Sequence, residues 1–176
     1  MRRPRAISVS AYPELFRAIG QSFARYADRV SHVPTVARAD VCAEARAWLA
    51  TKWTHQHRAK GLAVDCAGLI IGVARELRIV AADFDVQGYS RQPDGTLIDQ
   101  CDHWMRRIAK TAMQPGDVLV LAIEEDPMHM GIVADYRHGG LSLIHASSTA
   151  GRVVEHRLMF ARNLRFRAAY ALPGVT

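Results

Sequence analysis

The sequence predicts an α+β fold in which helices come first and antiparallel strands follow. Apolar residues recur at helical spacing over residues 40–110, and from residue 118 the pattern changes to short apolar runs separated by turns. The connections between these runs are short, which suggests a meander or a small barrel. With 176 residues, of which 49% are hydrophobic, the chain is long enough to bury a core without disulfides or metals.

The helical part begins with an N-terminal arm, residues 1–35, which we predict to be separate from a domain formed by residues 36–176. Residues 12–30 of the arm have helical spacing, and Pro34 lies in a break that follows them.

Three helices are predicted within the domain. The first follows its expected N-cap Asp40, the second starts at Asp65, and the third covers about residues 97–110. Residues 51–64 and 81–96 lack periodicity and are predicted to be loops. The second helix has the clearest apolar stripe, formed by Cys66, Leu69, Ile70, Val73 and Leu77.

The strands follow a turn with the sequence QPGD at residues 114–117. A turn with the sequence HGG at residues 138–140 connects the second predicted strand to the third. The five predicted strands are residues 118–123, 130–136, 141–146, 152–156 and 166–172.

The charge and the cysteine count exclude several classes of protein. The net charge is +6, but the basic residues are scattered, which favours a solvated basic surface over a nucleic-acid interface. The chain has only three cysteines, and this small, odd count argues against a disulfide framework and is typical of a reducing compartment. No apolar run approaches the roughly 18 residues of a spanning helix, and no secretion signal is visible, so we expect cytoplasmic synthesis.

Cys66 is the first candidate for chemistry. It lies in the first turn of a predicted helix, where the backbone N–H groups and the helix dipole stabilise an anion. A thiol at this position is expected to have a lowered pKa and to be reactive, although a buried structural cysteine fits the position equally well. Cys42 and Cys101 lie within helical patterns and are interpreted as structural.

Two histidines complete a candidate catalytic set. His129 begins one predicted strand and His145 ends the next, 16 residues later. Because a hairpin places these strands side by side, the two imidazoles can approach to hydrogen-bonding distance. One imidazole would then take the thiol proton while the other orients it.

The remaining histidines carry weaker signals. His32, His103 and His138 are predicted to be surface or loop residues. His55 and His57 form an H-x-H pair, which together with Cys66 and His129 could make a zinc site. The chain has neither C-x-x-C nor H-E-x-x-H, so this pattern is weak and we predict no metal.

Four motifs resemble those of NlpC/P60 cysteine peptidases. Residues 64–70 (VDCAGLI) resemble the nucleophile motif D-C-[SA]-G-[LF], and residues 115–119 (PGDVL) resemble P-G-D-L-[VL]. Residues 129–133 (HMGIV) resemble H-V-G-I-[YV], and residues 144–147 (IHAS) resemble V-H-A-S. The four matches occur in the family's order, and the resemblance as a whole covers about residues 36–173. The stretch from Ala47 to Trp53 looks most like the phage-associated branch of the family.

The resemblance implies a papain-like fold in which the nucleophile helix packs on a small antiparallel sheet. It implies hydrolysis of amide bonds in peptidoglycan stem peptides, often the bond from D-γ-glutamate to a diamino acid, without a cofactor. Cys66 would be the nucleophile, His129 the general base and His145 the orienting residue. Residues that would bind substrate or the oxyanion are Trp53, His55, Asp65 and Ser147.

The motifs depart from the family pattern at two positions. Trp53 replaces the tyrosine of many cell-wall members, and its indole N–H is a donor of different reach. Ala67 replaces the serine that, with the aspartate at position 65, reads a free N-terminal L-alanine in some members. Neither position belongs to the triad.

The phage-associated resemblance predicts a partner and a location. Residues 8–20 are similar to the Y-P-x-L-F-x-x-I-G stretch of phage tail-collar domains, although an amphipathic docking helix explains them as well. Phage tail proteins are therefore expected partners, and the expected location is a virion tail acting on the cell wall.

Three other interpretations remain open at this stage. The chain could be a tail assembly or binding module that has the fold without turnover. It could be a thiol amidase or acyltransferase with a substrate outside the cell wall, since the same triad would serve. The third of these interpretations is a zinc hydrolase.

Overall fold

The computed structural model describes residues 35–91, 94–123, 126–160 and 164–176. The predicted N-terminal arm, apart from residue 35, lies outside the described residues. Within the described part, no helix is both long and apolar enough to cross a membrane.

Three α-helices precede the main sheet: α1 (Arg38–Arg46), α2 (Cys66–Glu76) and α3 (Thr96–Trp104). The helix α1 has Ala37 as its N-cap, so the prediction that Asp40 caps it was wrong. Asp40 lies in the first turn instead, where its negative charge still interacts favourably with the positive end of the helix dipole.

The third helix was predicted to run to about residue 110, and it ends earlier. Met105 has an extended backbone, and the next three residues form a strand that pairs with the C-terminal strand. This pairing satisfies backbone groups that a continued helix would have satisfied internally, and it joins residues more than 60 positions apart.

The strands of the described residues are β1 (Lys52–Trp53), β2 (Arg58–Ala59), β3 (Ala63–Val64), β4 (Arg106–Ile108), β5 (Val118–Ile123), β6 (Asp126–Asp135), β7 (Leu141–Ser147), β8 (Arg152–Arg157) and β9 (Arg165–Ala171), and a 3₁₀ turn covers Lys110–Ala112. They form one nine-stranded sheet in the order β2-β3-β1-β8-β7-β6-β5-β9-β4. The five strands predicted from residue 118 onwards are confirmed as β5 to β9. The sheet is not closed, so the suggestion of a barrel was wrong.

The segment predicted as a loop over residues 51–64 contains three of these strands, each of two residues. Two of them, β1 and β3, pair in parallel, while β1 continues the main sheet by pairing with β8. Strands this short leave no periodicity to detect, since a two-residue strand holds only one step of the in–out alternation.

The sheet is covered on both faces. The side chains of Val118, Val120, Ile132 and Ile144 pack towards the helices, and those of Leu119, Leu121, Val133 and Leu143 form a second cluster. This alternation is the period of two expected for strands. The face towards the helices positions α2, and therefore Cys66, over the middle of the sheet.

A close approach fixes α2 against the chain that follows α1. A Cβ atom at Gly72 would lie 2.3 Å from the ring of the buried Trp48. Only glycine therefore allows this ring to lie on the helix surface. Cys42 and Cys101 are buried and unpaired, which agrees with their interpretation as structural residues.

Candidate active site

Cys66 is the first residue of α2. Asp65 is the N-cap, and its Oδ1 accepts a hydrogen bond of 2.8 Å from the backbone N–H of Gly68. The backbone N–H of Met130 on β6 faces the thiol and favours its charged form. Since Met130 directly follows His129, the thiol lies beside the strand that carries the first candidate histidine.

The glycine of the nucleophile motif has a steric role. A Cβ atom at Gly68 would lie 2.2 Å from the backbone oxygen of His57. No side chain fits there, because backbone cannot yield as a flexible side chain can. Gly68 therefore lets the loop before α2 pass directly over the first turn of the helix.

The pKa of Cys66 contradicts the expectation of a lowered value. The pKa of the thiol is raised to about 11, mainly by burial and to a smaller extent by the negative charge of Asp65. The Met130 and Ala67 N–H groups lower it, but by less. The resting thiol is therefore protonated at neutral pH.

The two predicted histidines are brought together as expected. A hydrogen bond of 2.6 Å joins Nε2 of His129 to Nδ1 of His145, and the ring planes are nearly perpendicular at 81°. Gly131 lies on β6 two residues after His129, and a Cβ atom there would be 2.9 Å from Cβ of His145 on β7. The glycine of the HMGIV motif therefore makes room for the second imidazole.

Both imidazoles are held neutral. Burial lowers the pKa of His129 to about 4, with a smaller contribution from His156. The pKa of His145 is lowered to about 3, mainly by burial and to a smaller extent by the neighbouring imidazoles of His129 and His156. At neutral pH the resting site therefore contains a thiol and neutral imidazoles.

A third histidine, which the sequence analysis did not select, contacts this pair. Nε2 of His156 on β8 lies 2.9 Å from Nε2 of His145. The signal that could have found it is the hairpin between β7 and β8, because counting from the turn places residues 145 and 156 near each other on one face.

Asp65 has a full set of partners within the protein. Besides Gly68, its carboxylate accepts hydrogen bonds from the Gln56 backbone N–H at 2.6 Å and from the Tyr89 hydroxyl at 2.7 Å. Nδ1 of His55 lies 3.4 Å away. Tyr89 comes from the predicted loop 81–96, and no sequence signal connected it to this site.

Solved structures with the same architecture include the NlpC/P60 domain of the peptidoglycan hydrolase SagA. That structure has a TM-score of 0.55 and 18% identity, over 77% of this chain and 99% of that one. The fold is that of the NlpC/P60 domains. NlpC1 from Trichomonas vaginalis has a TM-score of 0.57 and 14% identity, over 80% of this chain and 46% of that one.

A further structural neighbour is an N-acetylmuramoyl-L-alanine amidase from Bacteroides uniformis ATCC 8492. Its TM-score is 0.52 and its identity 13%, over 76% of this chain and 97% of that one. No family model matches the sequence, and no curated protein matches it.

The other predicted site residues occupy different parts of this NlpC/P60 fold. The backbone N–H of Trp53 on β1 donates to the Gly151 oxygen at 2.8 Å, and the guanidinium of Arg91 lies 5.0 Å from the Trp53 ring centre. The hydroxyl of Ser147, at the end of β7, accepts from the Ala150 N–H at 3.1 Å and so caps a turn. Their roles towards a substrate stay predictions, as do those of His55 and Asp65.

Among the residues that the structure describes, the H-x-H pair of His55 and His57 is not part of a metal cluster. No three His, Cys, Asp or Glu side chains among these residues converge as metal ligands would. Nδ1 of His57 instead lies 2.9 Å from the backbone oxygen of His55, within the same loop.

Proposed function

We propose that this chain is an NlpC/P60 cysteine peptidase that hydrolyses amide bonds in peptidoglycan stem peptides. The observation that carries the proposal is the 2.6 Å hydrogen bond between His129 and His145 on strands beside the helix that begins at Cys66. The pair provides a base and an orienting group for one thiol, which is the arrangement needed for nucleophilic catalysis. The similarity to a domain of a peptidoglycan hydrolase supports the substrate class.

The acylation step uses the free ring nitrogen of His129. Because Nε2 of His129 is engaged by His145, Nδ1 accepts the Cys66 proton while the sulfur attacks the substrate carbonyl carbon. The carbonyl oxygen becomes an oxyanion. It accepts hydrogen bonds from the Cys66 backbone N–H at the start of α2 and from a side chain that precedes α2 in the sequence, Trp53 or His55. When the C–N bond breaks, the leaving amine takes the proton from His129, and a thioester remains.

Hydrolysis of the thioester reverses the proton movement. Nδ1 of His129 takes a proton from a water molecule whose oxygen attacks the thioester carbon. When the C–S bond breaks, the proton returns to the sulfur, and a carboxylic acid is released. Every proton in the cycle is accounted for by Cys66, His129 and one water.

The expected bond is the one between D-γ-glutamate and a diamino acid. Asp65 is already occupied by Gly68, Gln56 and Tyr89, and Ala67 has no hydroxyl, so the two groups that would read a free N-terminal amine are not available. We therefore propose that a free N-terminal L-alanine is not required. We also propose that the protein is phage-associated and acts on the wall from a tail particle, which rests on the motif resemblance.

Digestion of purified peptidoglycan and of defined muropeptides tests the proposal. The wild type should release new fragments that mass spectrometry identifies, and C66A should lower the rate by about a thousandfold or more, since it removes the nucleophile. H138A is the matched control, because His138 is exposed and lies away from the site, and it should retain full activity.

The masses of the products name the bond. Cleavage after D-γ-glutamate would confirm the endopeptidase, whereas separation of muramic acid from L-alanine would show the amidase chemistry of the Bacteroides neighbour. If neither the wild type nor C66A releases fragments, the wall peptidase proposal fails. The chain would then act as an assembly module or on a substrate outside the wall.

A further inference from the structure

The histidine pair continues into a chain of three imidazoles that ends on the protein surface. Nε2 of His145 lies 2.9 Å from Nε2 of His156, and their ring planes are perpendicular at 90°. Nδ1 of His156 lies 3.0 Å from the backbone oxygen of Arg157. The chain therefore runs from the half-buried His129 to the exposed His156 and stops at a backbone carbonyl.

The strand register explains why His156 reaches this place. On the β7–β8 ladder, His145 is opposite Val154, and His156 is opposite Leu143. His145 and His156 are thus diagonal neighbours on one face of the sheet, at a separation that long and aromatic side chains can span.

The terminal carbonyl determines where each proton lies. A carbonyl oxygen only accepts, so the hydrogen bond to the Arg157 oxygen requires that Nδ1 of His156 carries its hydrogen. In a neutral imidazole the other nitrogen is then an acceptor, so Nε2 of His156 accepts from the Nε2–H of His145.

The same reasoning applies to the next ring. Since Nε2 of His145 carries the hydrogen, its Nδ1 is an acceptor and receives the Nε2–H of His129. Nδ1 of His129 is then the nitrogen without hydrogen. The backbone carbonyl of Arg157 at the surface therefore sets the tautomer of His129 through the two imidazoles of His156 and His145.

We propose that His156 is a positioning residue that, through His145, holds His129 in the tautomer whose Nδ1 accepts the Cys66 proton. This inference rests on the proposed function for its catalytic meaning. When His129 gains that proton, its ring becomes positive while its Nε2–H still donates to Nδ1 of His145. Each ring in the chain then presents a lone pair towards the new charge, which stabilises it.

Two substitutions separate this role from a structural one. H156L removes the acceptor for His145, while H156Q retains an acceptor in its side-chain oxygen but cannot titrate. H138L is the matched control, since His138 is another exposed histidine. His156 is itself exposed, so we expect all three variants to remain folded, which thermal unfolding checks.

The decisive measurement is the protonation of each ring nitrogen by long-range ¹H–¹⁵N correlation on ¹⁵N-histidine-labelled protein. In the wild type, H156Q and H138L, Nδ1 of His129 should give the shift of a nitrogen without hydrogen. In H156L, the Nδ1 and Nε2 shifts of His145 and His129 should move towards each other as the tautomers mix. On muropeptides, kcat of H156L should fall about tenfold while KM stays unchanged, because the loss of one hydrogen bond changes a rate by about this factor. H156Q should have the kcat of the wild type.

Unchanged His129 and His145 shifts in H156L would overturn the inference, as would a kcat loss in H156Q equal to that in H156L. The spectra do not depend on turnover. If the wild type cleaves no muropeptide but the shifts respond to H156L and not to H156Q, the positioning role stands and the proposed function fails.

Discussion

At the scale of single residues, the candidate nucleophile and base are both uncharged at rest. The helix N-terminus stabilises an anion by about 0.3–1 kcal/mol, which is less than one pKa unit. Burial outweighs this at Cys66, whose pKa rises to about 11, and the same burial lowers the pKa of His129 to about 4. Proton transfer from sulfur to imidazole is therefore expected to accompany attack on the substrate rather than to precede it.

This resting state predicts the pH dependence of thiol alkylation. The thiolate fraction of a group with a pKa of about 11 rises about tenfold per pH unit below that value. The rate of Cys66 modification by iodoacetamide, followed by mass spectrometry, should therefore increase steadily from about pH 6 to pH 9.

C66A provides the control for this measurement, because it leaves only the buried Cys42 and Cys101. A rate that is constant between about pH 5 and pH 8 would contradict the prediction. Such a plateau would mean that a thiolate and an imidazolium already exist in the resting enzyme.

At the scale of elements, the start of α2 is tied to two loops by one carboxylate. Asp65 is 2% exposed, and it receives the N–H of Gly68 in its own helix, the N–H of Gln56 in the preceding loop and the hydroxyl of Tyr89 in the following one. The position of Cys66 therefore depends on contacts made by its neighbour.

Replacement of this carboxylate should destabilise the fold. D65A removes the N-cap that accepts the Gly68 N–H, which costs about 1 kcal/mol, and leaves the half-buried Tyr89 hydroxyl without its carboxylate acceptor, which costs about 1–3 kcal/mol. We expect urea unfolding to show a loss of about 3 kcal/mol in the free energy of unfolding.

Asp94 offers a matched control at the start of α3. Its carboxylate accepts from the N–H and the hydroxyl of Thr96, but it is exposed. D94A should therefore cost no more than about 1 kcal/mol. Equal losses in D65A and D94A would show that the buried network does not anchor the helix.

At the scale of the whole molecule, the neutral histidines make the fold sensitive to acid. The pKa values of His129 and His145 are about 4 and about 3 in the folded protein and near 6.5 when unfolded. Below about pH 6.5 the unfolded chain binds more protons than the folded one, so stability falls as the pH decreases towards the folded values.

Thermal unfolding at about pH 7.5 and pH 5 measures this dependence. The wild type should have the lower Tm at the lower pH, and H145Q, which removes one such group, should show a smaller difference between the two. H138Q serves as the control and should behave as the wild type. A Tm difference in H145Q that equals that of the wild type would contradict the assignment.

Many elements of the fold and three residues of the candidate site could be predicted from the sequence alone. The short apolar runs separated by turns over residues 118–172 predicted the five long strands, and the apolar stripe beginning at Cys66 predicted α2 and placed a thiol at its start. The HGG turn at residues 138–140 predicted that His129 and His145 lie on adjacent strands. These features depend on neighbours in the chain, so local periodicity and turn chemistry were sufficient to find them.

Only the tertiary structure decided the properties that depend on distant residues. The end of α3, the approach of His156 and the contact of Tyr89 with Asp65 arise from pairs separated by 11 to more than 60 positions. The direction of the Cys66 pKa shift is set mainly by burial in the folded protein. Strand register sets which side chains meet across the sheet, and desolvation sets the charge of each group. Sequence spacing determined which residues could form the site, and packing decided the protonation state of the thiol and the imidazoles there.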